Sequence, residues 1–289
     1  MPEGPEIRRA ADKLHRAIAG EVASDVFFAF DRLKPYEDEL VGRTVTAVKP
    51  YGKALVTTFD NGLAVYSHNQ LYGIWVICKP NVVPASRRQL RFAVHTPSRW
   101  ALLYSASDIE VLPEEAVPIH PYIAKLGPDT LDTALTPAAI AERTLSSPFR
   151  RRQFATLLLD QGFLGGIGNY LRTEILYVAG IHPSQRPIDC NSQQILAFAE
   201  AALAIPQQSY RHSGITNDLA LTTHLKQIGY RRREYRHWVF GRQGKPCHRC
   251  GDTIAKIMIG GRRCYVCPQC QPSDQPLVID NPSSSTEGV

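Results

Sequence analysis

The chain has no run of about 18 apolar residues, the length a membrane-spanning helix needs, so no membrane association is expected. Its first residues also lack an apolar secretory signal between a basic start and a cleavage site, and a cytoplasmic protein is expected. An even cysteine set is missing. There are seven cysteines, and five of them fall between Cys247 and Cys270, which argues against a disulfide framework and for a local metal site. Cys78, in an apolar run, and Cys190, in a polar one, read as plain thiols. The final nineteen residues, Gln271 to Val289, contain no base. They hold three acids, so of the net charge of +6 the first 270 residues carry +9. No internal repeat is visible.

What is present is ordinary in bulk: 289 residues, 44% hydrophobic and 9% aromatic, suffice for two domains with their own cores. The unusual feature is local. Lys226 to Arg263 carries eleven Lys or Arg against two acids; such a block is commonly a solvated face, but beside cysteines it points to a polyanionic partner.

Residues 5–19 set Ile7, Ala10, Ala11, Leu14, Ala17 and Ile18 at helical spacing, with Gly20 as a stop, and predict an amphipathic helix. From Val22 to Leu112 the texture changes to eight short β-branched and aromatic runs: DVFFAF, RTVTAV, KALVTTF, LAVYS, GIWVIC, LRFAVHT, RWALLYS and DIEVL. Strands at this spacing predict an antiparallel β-sandwich. Residues 113–135 are proline-rich without a sustained period and read as a linker. Helical patterns then replace strands: TPAAIAERTL, RRQFATLLLDQGFL, GNYLRTEILYVAG and NSQQILAFAEAALAI. The expected class is α+β: a helix and sandwich in 1–112, a helical domain with a basic connection in 136–237, a cysteine module in 238–271 and a disordered tail in 272–289.

Four stretches carry chemistry. Cys247, Cys250, Cys267 and Cys270 form two Cys-x2-Cys knuckles separated by sixteen residues, a set that satisfies one tetrahedral structural zinc and leaves no open position. Cys264 could pair with Cys267 instead, but the turn chemistry of CPQC favours 267 with 270, leaving Cys264 on the hairpin. DQGFLGGIGNYLRTEIL joins two helical patterns through a glycine-rich turn with Asn169 as the expected cap; exposed N–H groups there suit phosphate, although an ordinary helical hairpin has the same look. Lys53 follows a glycine at a strand start, where a lone lysine is commonly a surface charge. NQLYG places Leu71 and Tyr72 on a glycine-bounded loop, as core anchors or as wedges for a base stack. The opening MPEGPEIRR admits the bland reading of a proline-started helix with Glu3 and Glu6 complementing its dipole.

From PEGPEIRRAAD to CPQCQ the sequence resembles the bacterial formamidopyrimidine-DNA glycosylase and endonuclease VIII family. PEGPE, YSHNQLYG and GNYLR look like the endonuclease VIII branch; the sister branch typically begins PELPE and carries a methionine in its wedge loop. The resemblance implies a helix-two-turn-helix domain and a zinc ribbon, and a monomeric, nucleoid-associated enzyme acting on double-stranded DNA that contains oxidised bases or abasic sites. It implies catalytic roles for Pro2 as amine nucleophile, Glu3 as general acid, and Lys53 and Arg262 as phosphate grips, with Glu6 in support. Asn169 is implied as a further phosphate contact, and Gln70, Leu71 and Tyr72 as fillers of the hole left by an everted nucleotide. The implied activity is excision of oxidised pyrimidines through a Pro2 Schiff base, then strand cleavage by β,δ-elimination. Two departures stand out. Cys264 replaces an expected aromatic, and residues 213–238 are longer and more basic than that branch suggests; the sister branch has its base-recognition loop there. The alternatives are a glycosylase for oxidised purines such as 8-oxoguanine, and a non-enzymatic zinc-ribbon DNA-binding protein.

Overall fold

The computed structural model describes residues 2–82 and 84–273, so the tail expected to be disordered lies, but for its first two residues, outside the description. The chain divides into two compact units, Met1–Asp129 and Thr130–Val289. Among the described residues no helix is long and apolar enough to cross a membrane.

The first unit begins with helix α1 (Gly4–Ile18), whose Ile7, Ala11, Leu14 and Ile18 are buried along one stripe. After it come strand β1 (Asp25–Phe28), a 3-10 turn at Asp31–Leu33, helix α2 (Pro35–Leu40), and strands β2 (Val45–Tyr51), β3 (Ala54–Phe59) and β4 (Leu63–His68). Strands β5 (Ile74–Cys78), β6 (Leu90–His95), β7 (Trp100–Tyr104) and β8 (Asp108–Pro113) complete two four-stranded sheets, ordered β1-β6-β7-β5 and β2-β3-β4-β8. Every pairing in them is antiparallel. Phe28, Phe92, Val94 and Leu103 of one sheet, Val45, Leu55, Phe59 and Val65 of the other, and the α1 stripe share one core. Each such side chain contributes roughly 1.5–3 kcal/mol when fully buried. His15 ties the helix to the sheet, its Nδ1 accepting from Val48 N at 3.2 Å.

The stretch 113–135, expected to be a linker, is packed over much of its length, Leu126 lying against Gly52 and Thr130 being buried. A 3-10 helix at Glu114–Ile119 and the residues after it put Val117, Tyr122 and Ile123 over Ala54, Val56, Ala64 and Tyr66. That cover explains why β3 is buried on both faces and why its sequence, ALVTTF, does not alternate. Prolines masked the packing in the sequence, because irregular cover has no period to read.

The second unit contains α3 (Pro137–Leu145), α4 (Phe154–Leu157), α5 (Asn169–Val178), α6 (Ser192–Arg211), α7 (Leu219–Gln227), α8 (Arg232–Tyr235) and the hairpin β9 (Ala255–Ile259) and β10 (Arg262–Val266). Caps start the helices: Thr136 Oγ1 accepts from Ala139 N at 3.2 Å, and Asn191 and Gln194 cap each other's backbone at 2.9 Å. The helical pattern of 151–164 yields only the one-turn α4. Asp160 ends it, accepting from Gly162 N at 2.8 Å while pairing with Arg152 at 2.7 Å, so the chain turns where the pattern predicted continuation. The 213–238 connection folds as α7 and α8, and with residues 241–248 it lines a cavity of about 640 Å³ that includes Tyr230, Arg233 and Arg242.

Candidate functional site

In the first unit, Pro2 stands immediately before the N-cap of α1. Glu3 is the cap and Glu6 its partner in a capping box, with Glu3 N donating to Glu6 Oε2 at 3.1 Å. Arg9 Nη2 holds the other Glu6 oxygen at 2.9 Å. The bland helix-start reading is therefore correct as structure, and it leaves Glu3 only 2% exposed beside Pro2. A carboxylate at a helix N-terminus is favoured by the dipole. The same geometry fixes it one residue from the Pro2 nitrogen.

Lys53 is 7% exposed, which removes the reading of a plain surface charge. Its turn is clamped by the segment that covers β3: Lys53 N donates to Tyr122 Oη at 3.0 Å, and Gly52 adopts a φ of +57° against Leu126 and Tyr122. A Cβ on Gly52 would stand 3.1 Å from Leu126 Cδ2 and 3.2 Å from Tyr122 Oη, so a side chain there would crowd both and strain the left-handed backbone. Burial pushes the His68 imidazole below its ordinary range, and the nearby Lys53 charge acts in the same direction while Asp108 opposes both. Burial also pushes the Tyr122 phenol upward.

Gln70, Leu71 and Tyr72 form the loop between β4 and β5. Leu71 is 55% and Tyr72 66% exposed, so they are not core anchors. The loop itself is tight: Gly73 N donates to Asn69 O at 2.7 Å, and a Cβ on Gly73 would meet that oxygen at 2.5 Å. Arg88 Nη1 donates to Tyr72 O at 2.8 Å and Ser107 Oγ to Gln70 Oε1 at 2.6 Å. Neither Arg88 nor Ser107 was a sequence candidate, because contacts across loops leave no spacing signal.

In the second unit Asn169 is the first residue of α5 and Gly168 the cap, a correction to the cap expected at Asn169. The side chain instead reaches the hairpin, Asn169 Nδ2 donating to Arg263 O at 3.0 Å. Arg172, fully buried, donates through Nη2 to Asn169 Oδ1 at 2.6 Å and to Arg263 O at 2.8 Å, and through Nη1 to Ala155 O at 3.0 Å. One backbone carbonyl thus binds α5 to β10. It sets Arg262 next to the turn Gly260-Gly261, whose φ values of +59° and +72° suit a two-residue hairpin. Arg262 is exposed at the hairpin tip, on the strand face shared with the buried Cys264 and Val266.

Glu174, fully buried, was not a candidate from the sequence. Its buried carboxylate accepts from Trp238 N at 2.7 Å, Val239 N at 3.0 Å and Phe240 N at 2.9 Å, and from the Thr216 hydroxyl. Burial pushes its carboxyl above the ordinary range although those four donors pull the other way. It gathers the backbone that leads from the helices into the cysteine module. A charged residue inside the apolar pattern NYLRTEILYV was the available signal.

The Sγ atoms of Cys247, Cys250, Cys267 and Cys270 lie within 4.8 Å of one another. The 247–270, 250–267 and 250–270 separations are 3.9, 3.4 and 3.6 Å. A tetrahedron with zinc–sulfur bonds of about 2.3 Å has edges of about 3.8 Å, so the donor set fits that metal. Cys264 stands apart, buried with its Sγ 3.6 Å from Thr173 Oγ1. Gln271 anchors the second knuckle, accepting from Cys267 N at 3.1 Å and donating to Ile181 O at 2.9 Å.

Three family models match in chain order: the formamidopyrimidine-DNA glycosylase N-terminal domain over residues 1–106, its H2TH domain over 126–219, and a zinc finger found in FPG and IleRS over 244–272. The chain is 48% identical to Endonuclease 8 of Escherichia coli over 271 residues, 94% of this chain and all of that one. Endonuclease 8 of Klebsiella pneumoniae is also 48% identical, and that of Salmonella enteritidis 47%, with the same coverage. Among solved structures, Lactococcus lactis Fpg (MutM) bound to DNA containing an oxidised pyrimidine superposes with a TM-score of 0.77 at 20% identity, over 94% of this chain and 100% of that one. MutM with carbocyclic 8-oxo-G DNA gives 0.78 at 20%, with the same coverage. The structural likeness establishes the fold. The three matched models and the full-length identity to Endonuclease 8 together place this chain in the formamidopyrimidine-DNA glycosylase and endonuclease VIII family.

Proposed function

We propose that the chain is a bifunctional DNA glycosylase and AP lyase of base excision repair, acting as a cytoplasmic monomer on oxidised pyrimidines in double-stranded DNA. The observation that carries this reading is the start of α1, where a nearly inaccessible carboxylate, Glu3, is fixed directly beside Pro2. A terminal amine has a pKa of about 7.7–8.0 against about 10.4 for lysine, so the Pro2 amine, freed when Met1 is removed, is substantially neutral near pH 7. Its nitrogen attacks C1′ of the damaged nucleotide. The C1′–O4′ bond breaks as Glu3 protonates O4′. The nitrogen lone pair then expels the base, which takes up the proton the nitrogen gives up, leaving an iminium that acidifies the C2′ hydrogen. Loss of that proton expels the 3′ phosphate, and a second elimination expels the 5′ phosphate. Lys53, Asn169 and Arg262 grip backbone phosphates, Glu6 supports Glu3, and Gln70, Leu71 and Tyr72 fill the space left by eversion. One zinc ion on the four cysteines has a structural role, holding the hairpin that carries Arg262.

Oxidised pyrimidines are favoured over purines by the likeness to Endonuclease 8, 48% against 20% for the MutM structures, and by the wedge NQLYG. Single-turnover rates on thymine glycol, 5-hydroxycytosine, 8-oxoguanine and abasic duplexes test it. Both pyrimidine lesions are expected to be excised at least about tenfold faster than 8-oxoguanine; the reverse order would assign the chain to oxidised purines. Leu71→Ala is expected to slow excision of paired lesions about tenfold more than lyase action at an abasic site, which has already lost its stacking. Equal losses on both would remove the wedge role.

A further inference from the structure

Two loops at one end of the sandwich run side by side. Residues 69–73 join β4 to β5, and residues 105–107 join β7 to β8; the register pairs His68 with Asp108 and Ile74 with Tyr104, bracketing both loops. Each loop holds a non-glycine residue in the left-handed region, Gln70 at φ +48° and Ser105 at φ +56°, a backbone that such residues adopt only when their surroundings impose it. Gln70 is fixed from two sides. Its N–H donates to His68 Nδ1 at 3.0 Å, and its side-chain oxygen accepts from Ser107 Oγ at 2.6 Å. The short loop is itself anchored by Ala106, which is fully buried in the sandwich core.

Building on the wedge role given to Gln70 above, we infer that Ser107 is a positioning residue of the wedge. Its hydroxyl captures the carbonyl end of the Gln70 amide and turns the nitrogen end toward the base orphaned by eversion. A primary amide presents a donor at one end and an acceptor at the other, and free rotation would let either face the orphan. With the oxygen held, the donor end is presented. Guanine O6, adenine N1, cytosine N3 and thymine O4 all offer an acceptor on the pairing edge. Tolerance of the base opposite the lesion then comes from a fixed donor that suits every orphan, and the rate of insertion depends on the amide being preset.

The test is stopped-flow eversion, read from 2-aminopurine beside a thymine glycol in duplex DNA, together with single-turnover excision opposite each of the four bases. Wild type, Ser107→Ala, Ser107→Thr and Leu71→Ala are compared. Ser107→Ala is expected to slow eversion about three- to tenfold opposite all four bases, the weight of one hydrogen bond, with KM little changed. Ser107→Thr, which keeps the hydroxyl, is expected to return the rate to within about twofold of wild type. A Ser107→Ala rate equal to wild type, with Leu71→Ala slow, would overturn the positioning role and leave the wedge standing. Ser107→Thr as slow as Ser107→Ala would overturn it too, because the hydroxyl would not be what matters. If Leu71→Ala and Ser107→Ala both evert at the wild-type rate, the wedge reading fails and takes this inference with it.

Discussion

Glu3→Gln is expected to bind lesion-containing duplex within about threefold of wild type and to lose base excision by two to four orders of magnitude, the usual worth of a positioned general acid. Glutamine has the shape of glutamate and keeps an acceptor oxygen for the first turn of α1, so the capping arrangement with Glu6 survives. What disappears is the ionisable proton. Gel-shift affinity, single-turnover excision and a thermal melt separate these effects. Normal excision by the variant would mean that Glu3 is not the acid; a melting temperature lowered by several degrees would mean that its cap, rather than its proton, had been removed.

Metal removal has the second large effect. Chelation, or Cys250→Ser, is expected to reduce lesion cleavage by more than about a hundredfold while the sandwich stays folded. Four-cysteine zinc sites of this kind contribute on the order of 10–16 kcal/mol to the elements they organise, and the apolar cluster that β9 and β10 form by themselves, around Ile257, Cys264 and Val266, is small. Arg262 sits at the tip of that hairpin, so its placement is lost with the knuckles. Hydrogen exchange reads the outcome by segment. Protection should vanish in β9 and β10, weaken where Gln271 meets Ile181, and persist in β2, β3 and β4. Loss of protection throughout the sandwich on chelation would contradict this separation.

The parts legible in the sequence were those with a period or a fixed spacing. The α1 stripe, the eight strand runs and the two Cys-x2-Cys knuckles each repeat at intervals that a helix, a pleated strand or a tetrahedral ion imposes. Irregular cover was not legible: Val117, Tyr122 and Ile123 close the outer face of a sheet without any repeat, and Tyr122 also fixes Lys53. Helix α2 was missed because six residues, PYEDEL, are too few to show amphipathicity. Asn169 stood out in the sequence, yet its amide is engaged through Arg172 and the Arg263 carbonyl, partners 3 and 94 positions away. Such contacts belong to tertiary structure. The same is true of Ser107, whose only sequence feature is a serine in a turn.

The central claim is that the Pro2 nitrogen forms the covalent bond to the sugar, and trapping that bond tests it most directly. Incubation with thymine glycol duplex and borohydride, followed by proteolysis and mass mapping of the adduct, locates the attacking nitrogen on one residue. The account expects a chain beginning at Pro2 with the reduced sugar on its N-terminal nitrogen. An adduct on Lys53, or a trapped chain that still carries Met1 before Pro2, would contradict it.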